Sequence, residues 1–186
     1  MELDRAAQAI ENWAEEGERS SPPLWEELPS IPLYMDQVIL YLGESLKLFE
    51  REEELSLLTS SMINNYVKNG LIPHPEKKKY TKEHLAGLMA VCMLKQVLSI
   101  QDIKTLFSGT EMTGETYELF REAHTAAVRE TCQALRETCR TGADLKEAAL
   151  LLAAEANAKR AAAERILCEL GREESKNFKE GKGGKG

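Results

Sequence analysis

This sequence predicts an all-α fold with a small β wing, and three observations lead there. Apolar residues recur at three- and four-residue spacing through most of the 186 positions. One stretch between helical segments, 71 to 80, carries Pro73 and Pro75 and ends in Lys77-Lys78-Lys79-Tyr80, which predicts a short extended hairpin. Beyond Gly109, two long helical patterns meet at Thr141-Gly142, a link so short that they fold back as an antiparallel hairpin.

The elements follow in order. Leu3, Ala6, Ala7, Ile10, Trp13 and Ala14 share one stripe of a helix over 2–17. Ser20 to Pro23 end it, and the prolines up to Pro32 predict an extended arm. Asp36 predicts an N-cap for an amphipathic helix through Val38, Ile39, Leu42, Leu46 and Phe49. The charged run Glu50 to Glu54 predicts a loop or a frayed end. Thr59 or Ser60 caps the next helix, which turns Ile63, Tyr66 and Val67 inward and Asn64, Asn65 and Lys68 outward. Gly70 stops it in the left-handed region. Thr81 caps a helix lined by Leu85, Leu88, Met89, Cys92 and Met93, with His84 where a capping box places Glu or Gln. Ser99 caps a short one carrying Ile103, Leu106 and Phe107.

The hairpin helices cover 115–140 and 143–170. The first buries Tyr117, Phe120, His124, Val128, Cys132, Leu135 and Cys139. The second buries Leu145, Ala149, Leu152, Ala156, Ala163, Ile166, Leu167 and Leu170. Two helices cannot enclose a core, so the hairpin needs the N-terminal region or a second copy against it. Residues 171–186, ending GKGGKG, predict a disordered tail.

Charge is unevenly spread. The net charge is -7, yet residues 1–54 hold 4 basic and 14 acidic side chains, whereas 55–107 hold 7 basic and 3 acidic. A basic island in an acidic chain points to a polyanion met by one face. No apolar run reaches the ~20 residues of a membrane span and the start lacks a signal-peptide pattern, so a cytoplasmic protein without membrane contact is expected. The four cysteines form no CxxC pair and predict reduced thiols. Cys132 and Cys139, seven residues apart, lie roughly 10.5 Å apart along a helix, too far for two zinc ligands at about 2.3 Å each. They and His124 read as core residues, with no metal and no cofactor. HExxH, GxSxG and phosphate-loop patterns are absent, so no enzyme is expected.

Helix, connection, polar capped helix, glycine, lysine-tipped hairpin and helix make the layout of a winged helix-turn-helix over 34–107. It follows an N-terminal helix and arm at 1–33 and precedes the hairpin at 112–170. Asparagine on a helix can bond an adenine edge in the major groove, and lysines on a hairpin can neutralise phosphates. The run Met62-Ile63-Asn64-Asn65-Tyr66-Val67-Lys68-Asn69-Gly70-Leu71-Ile72-Pro73, with Lys79-Tyr80-Thr81 and Leu85, resembles the MerR-type DNA-binding domain. Trp25 to Pro29 and Leu33 to Val38 extend a likeness to a bacterial domain-of-unknown-function family of that fold group, over about 24–107. By that resemblance the family's helix arginine falls on Asn64, its first tyrosine on Asn65, its second on Tyr66, its wing arginine on Lys78 and its wing tyrosine on Tyr80. The helix arginine is lost, the wing is shorter, and the connection at 48–58 is longer than a tight helix-turn-helix link.

The resulting expectation is a transcriptional regulator binding double-stranded operator DNA, homodimeric through 112–170. Ser61, Asn64, Asn65, Tyr66 and Lys68 would read or position, and Lys77, Lys78, Lys79 and Tyr80 would hold the backbone. The alternatives are a protein-interaction or scaffolding module without DNA affinity, supported by the acidic N-terminal third, and a small-molecule sensor.

Overall fold

The computed structural model describes residues 2–50 and 58–183. Seven α-helices run through them: α1 (Glu2–Arg19), α2 (Met35–Leu46), α3 (Ser60–Lys68), α4 (Lys82–Leu94), α5 (Ile100–Leu106), α6 (Gly114–Thr141) and α7 (Leu145–Gly183). Single 3-10 turns stand at Trp25–Glu27 and Lys47–Phe49.

Burial organises them around α4. Every residue from His84 to Met93 is buried, so this stretch of α4 has no solvent face. The sequence predicts one apolar stripe here, but Ala86, Gly87, Ala90 and Val91 complete the circle, and their small size admits neighbours on the other side. Val38, Leu42 and Leu46 of α2, Leu58 just before α3, Ile63 and Tyr66 of α3, Ile103 of α5 and Tyr117 of α6 join the same core. Each fully buried large side chain is worth about 1.5–3 kcal/mol of transfer free energy.

The arm between α1 and α2 is fastened to α6. The Tyr117 hydroxyl donates to the Pro23 carbonyl at 2.8 Å, and the Trp25 amide donates to a Glu118 carboxylate oxygen at 2.6 Å. Gly114 makes room for the Trp25 indole, whose atoms would stand 3.0–3.1 Å from any Cβ placed there. Arg121 donates to the other Glu118 oxygen at 2.6 Å, so that carboxylate is held from both sides.

The long helices depart from the hairpin expectation. Helix α6 lies along α1, where Ala14 and Cys132 are fully buried and Arg136 pairs with Glu18 at 3.1 Å. The Trp13 indole donates to the Leu48 carbonyl at 3.2 Å and ties α1 to the end of the α2 region. Gly142, at φ 69°, reverses the chain as predicted, but α7 then packs against α5 more than along α6. Leu167 is buried and Gly171 sits against Thr105 of α5, whereas Ile166 and Leu170 are exposed. The expected stripe on the second helix is therefore mostly open, because α1 has taken the face of α6 that α7 would have filled.

Three further expectations are corrected. No β strand occurs among the described residues, so the β wing, and with it the winged helix-turn-helix, is absent. Pro73 and Pro75 remove two of the ladder donors that a strand over 71–75 would need, and only isolated pairs form, Glu76 with Lys79 and Leu33 with Tyr80. Helix α2 begins at Met35 rather than after Asp36, because Gln37 Oε1 accepts from the Tyr34 amide at 2.9 Å and sets the boundary. The tail expected to be disordered from 171 continues, over the described residues, as α7 to Gly183. The loop expected at Glu50 to Glu54 falls, beyond Glu50, outside the described residues.

The α1–α6 contact gives the first prediction. A methyl on Gly17 would overlap Cys132 Sγ. Gly17→Ala should therefore destabilise the protein by about 1–3 kcal/mol, as overpacking does. In a Cys132→Ala background the same change should be neutral or stabilising by up to about 1 kcal/mol, the helix preference for Ala over Gly. Urea unfolding of the four combinations measures this, and additive effects would refute the contact.

Candidate nucleic-acid interface

Local chemistry fixes both ends of α3. Thr59 Oγ1 accepts from the Met62 amide at 3.3 Å and caps the start. Ile63, Tyr66 and Val67 are buried at helical spacing, which leaves Asn64, Asn65 and Lys68 exposed as predicted. At the far end Gly70, at φ 70°, donates to the Val67 carbonyl at 3.0 Å while Leu71 donates to Tyr66 at 2.9 Å. That pair is a Schellman closure, available because glycine accepts the left-handed backbone. It sends the chain into 71–75 with Ile72 buried.

The segment then makes a two-residue reversal at Lys77 and Lys78. The Lys79 amide donates to the Glu76 carbonyl at 2.9 Å, with φ 49° at Lys77 and 62° at Lys78. Such a turn usually takes Asn-Gly, and each lysine in this conformation gives up roughly 1–2 kcal/mol. The flanks hold it there. Leu33 and Tyr80 exchange backbone hydrogen bonds of 2.9 and 2.8 Å, and the buried Tyr80 ring stands edge-on to His84 at 5.7 Å. Lys79 Nζ lies 5.3 Å from the Tyr34 ring centroid, within cation–π range.

Between helix and turn lies a cleft of about 490 Å³, lined by Asn64 and Lys68 of α3 together with His74, Lys78 and Tyr80. The two segments singled out in the sequence thus converge. Other candidates fall outside the cleft. Lys77 is exposed beside it, and Ser61 is exposed in the first turn of α3. Asn65 is engaged locally, its Oδ1 accepting from Asn69 Nδ2 at 2.9 Å. Tyr66, 3% exposed, belongs to the core, and burial raises its phenol well above the ordinary value. Sequence reasoning missed His74 and Tyr34. The Pro73-His74-Pro75 order could have flagged His74, since a residue held between two prolines is set rather than free. Nothing local marks Tyr34.

Residues 23–126 match the model of a family described as a domain of unknown function, DUF1836. The chain belongs to this family. The DUF1836 region spans more than half of the chain and includes every candidate residue, from the Pro23 carbonyl that binds Tyr117 into the first half of α6. Helix α1 and all of α7 lie outside it. No curated protein and no solved structure matches the chain. Among the described residues no helix is long and apolar enough to cross a membrane, and no three His, Cys, Asp or Glu side chains gather as a metal site.

His84 links the turn to the core. Its Nδ1 accepts from the Thr81 amide at 3.1 Å, completing the capping box of α4 and requiring the proton on Nε2. The Thr81 hydroxyl donates to Glu83 at 2.5 Å, which helps hold that carboxyl below its usual range. Burial lowers the His84 pKa from 6.5, although the Glu83 charge and the Pro73 and His74 carbonyls pull the other way. Those carbonyls make no hydrogen bond of normal geometry with Nε2. His124, between Phe49 and Phe120 at 5.1 and 5.7 Å, is lowered by burial too.

A depressed histidine binds fewer protons folded than unfolded. Its contribution to stability is therefore present above the unfolded value of 6.5 and lost as pH falls through the folded one. Unfolding free energy should fall as pH drops below about 6.5. In His84→Gln, which keeps a capping acceptor and does not titrate, it should drop less. Equal slopes in urea titrations would remove His84 from the account.

Proposed function

We propose that the protein binds double-stranded DNA as a transcriptional regulator, with α3 entering the major groove and the lysine turn lying on the adjacent backbone. The observation that carries this reading is the convergence of Asn64 and Lys68 with Lys78 in one cleft. The lysine turn keeps an unfavourable backbone conformation at two neighbouring cations, and strain that surrounding contacts maintain is characteristic of functional segments. The resemblance of Met62 to Pro73 to the MerR-type signature supports the reading through helix and turn, without a β wing. Asn64, whose side chain has no partner on α3, is the better adenine reader, because Asn65 is committed to Asn69. Lys68, Lys77, Lys78 and Lys79 neutralise phosphates, and the Ser61 hydroxyl adds a backbone contact at the helix start. Such a regulator works in the cytoplasm.

The regulator acts as a homodimer through 112–170. Leu150, Leu151 and Ile166, each more than 60% exposed on α7, are the support for this. The second reading, a protein-interaction module without DNA affinity, draws on the surplus of acidic over basic residues in 1–54.

The two mutant classes should separate. Glycine at both Lys77 and Lys78 suits the left-handed turn, so Lys77→Gly with Lys78→Gly should leave stability unchanged or higher. The pair should weaken operator and random DNA alike. Each lysine that meets a phosphate should flatten the slope of log affinity against log salt by about 0.9, doubled in a dimer. Asn64→Ala should instead lose roughly 1–3 kcal/mol on the operator alone. Binding isotherms at several salt concentrations decide it, and an unmutated protein that binds no DNA at low salt leaves the interaction module standing.

Sedimentation at micromolar concentration should give twice the 20.8 kDa chain mass. Leu150→Glu with Leu151→Glu should return it to the monomer. A monomeric natural protein would end the dimer and the palindromic operator it implies.

A further inference from the structure

A second and larger cavity, about 1000 Å³, opens between the end of α3, the Glu83, Gly87 and Val91 side of α4 and the connection from α5 to α6. Ile72, Val91, Phe107 and Met112 give it apolar walls, and the backbone of Gly87 in α4 forms part of its floor. Lys68 and Lys104 stand on its lining as the only two lysines there. Neither has an ion-pair partner among the described residues. Each lies in the last turn of its helix, where the dipole alone favours a cation. The dipole does not explain why both open onto one apolar space. Two carboxylates also border it, but Glu83 is engaged by the Thr81 hydroxyl and Glu111 lies on the exposed connection.

We propose that this cavity binds a small amphipathic anion, an apolar body bearing a carboxylate or phosphate head, with Lys68 and Lys104 taking the head. The volume is at the upper end of the range for small-molecule sites, and apolar walls with a few polar groups are their usual make-up. Val67, Lys68 and His74 line both this cavity and the cleft beside α3. A bound anion therefore draws Lys68 away from the α3 face and lowers DNA affinity. That consequence rests on the DNA-binding reading, whereas the site itself does not.

The test uses the full chain with methionine methyl groups labelled for NMR, since Met112 lines the cavity. The probes are octanoate, octyl phosphate and, as the uncharged control, octan-1-ol. At least one anionic probe should shift the Met112 signal saturably and bind at least tenfold more tightly than octanol. Lys104→Gln, which lies outside the lining of the α3 cleft, should weaken that binding at least fivefold, and Thr110→Trp, which fills the exposed rim, should abolish it. Equal affinity for octanol, equal affinity in Lys104→Gln, or no binding of either anion overturns the site. In the DNA arm the anionic probe should weaken DNA binding by the natural protein and much less by Lys104→Gln. An unchanged DNA affinity in the presence of bound probe overturns the coupling alone. A protein without DNA affinity fails the regulator reading, and the probe titration still decides the site.

Discussion

A helix without a solvent face constrains everything around it. Because α4 is buried from His84 to Met93, every other element of the family region has to supply a surface for it. Its first amides have no backbone partner within the helix and need other acceptors. His84 meets one of them from inside the helix, and the same imidazole packs against Tyr80 at the base of the lysine turn. An exposed cationic turn is thus joined to a buried helix through a neutral histidine.

The strained turn becomes intelligible from that attachment. Two lysines with positive φ would relax if either flank were free. Glu76 and Lys79 close the loop, Tyr80 is paired to Leu33, and Leu33 belongs to an arm that Tyr117 and Glu118 clamp to α6. The clamp reaches from the arm across to the first turns of α6, and the DUF1836 match begins at Pro23 and runs past Tyr117. The match therefore contains the turn together with what holds it, while α1 and α7 add to the outside. Helix α1 adds stability by covering α6. Helix α7 adds an open apolar surface.

The short polar elements were legible in the sequence because their signals are local. Thr59, Gly70 and Ser99 each act on amides or carbonyls within four residues, and they and Thr81 stand at helix ends in the structure. The outward set Asn64, Asn65 and Lys68 followed from the burial of Ile63, Tyr66 and Val67 three and four positions away. The wing was misjudged for a physical reason of longer range. A hairpin needs paired donors along two strands, and a sequence shows the turn residues without showing whether the prolines fall on the pairing side.

The sequence by itself determined the helical content, the helix boundaries set by caps and glycine, and the basic island between acidic flanks. Those depend on contacts along a few residues or on composition alone. Only the tertiary structure decided that α4 is buried on every face, that α6 pairs with α1 rather than α7, and that His74 and Lys68 serve two cavities at once. Periodicity reports that a helix has an apolar side, but several partners can cover that side equally well in principle. Which one does is settled by competition for the same surface, here through the room that Gly17 and Gly114 leave for Cys132 and Trp25.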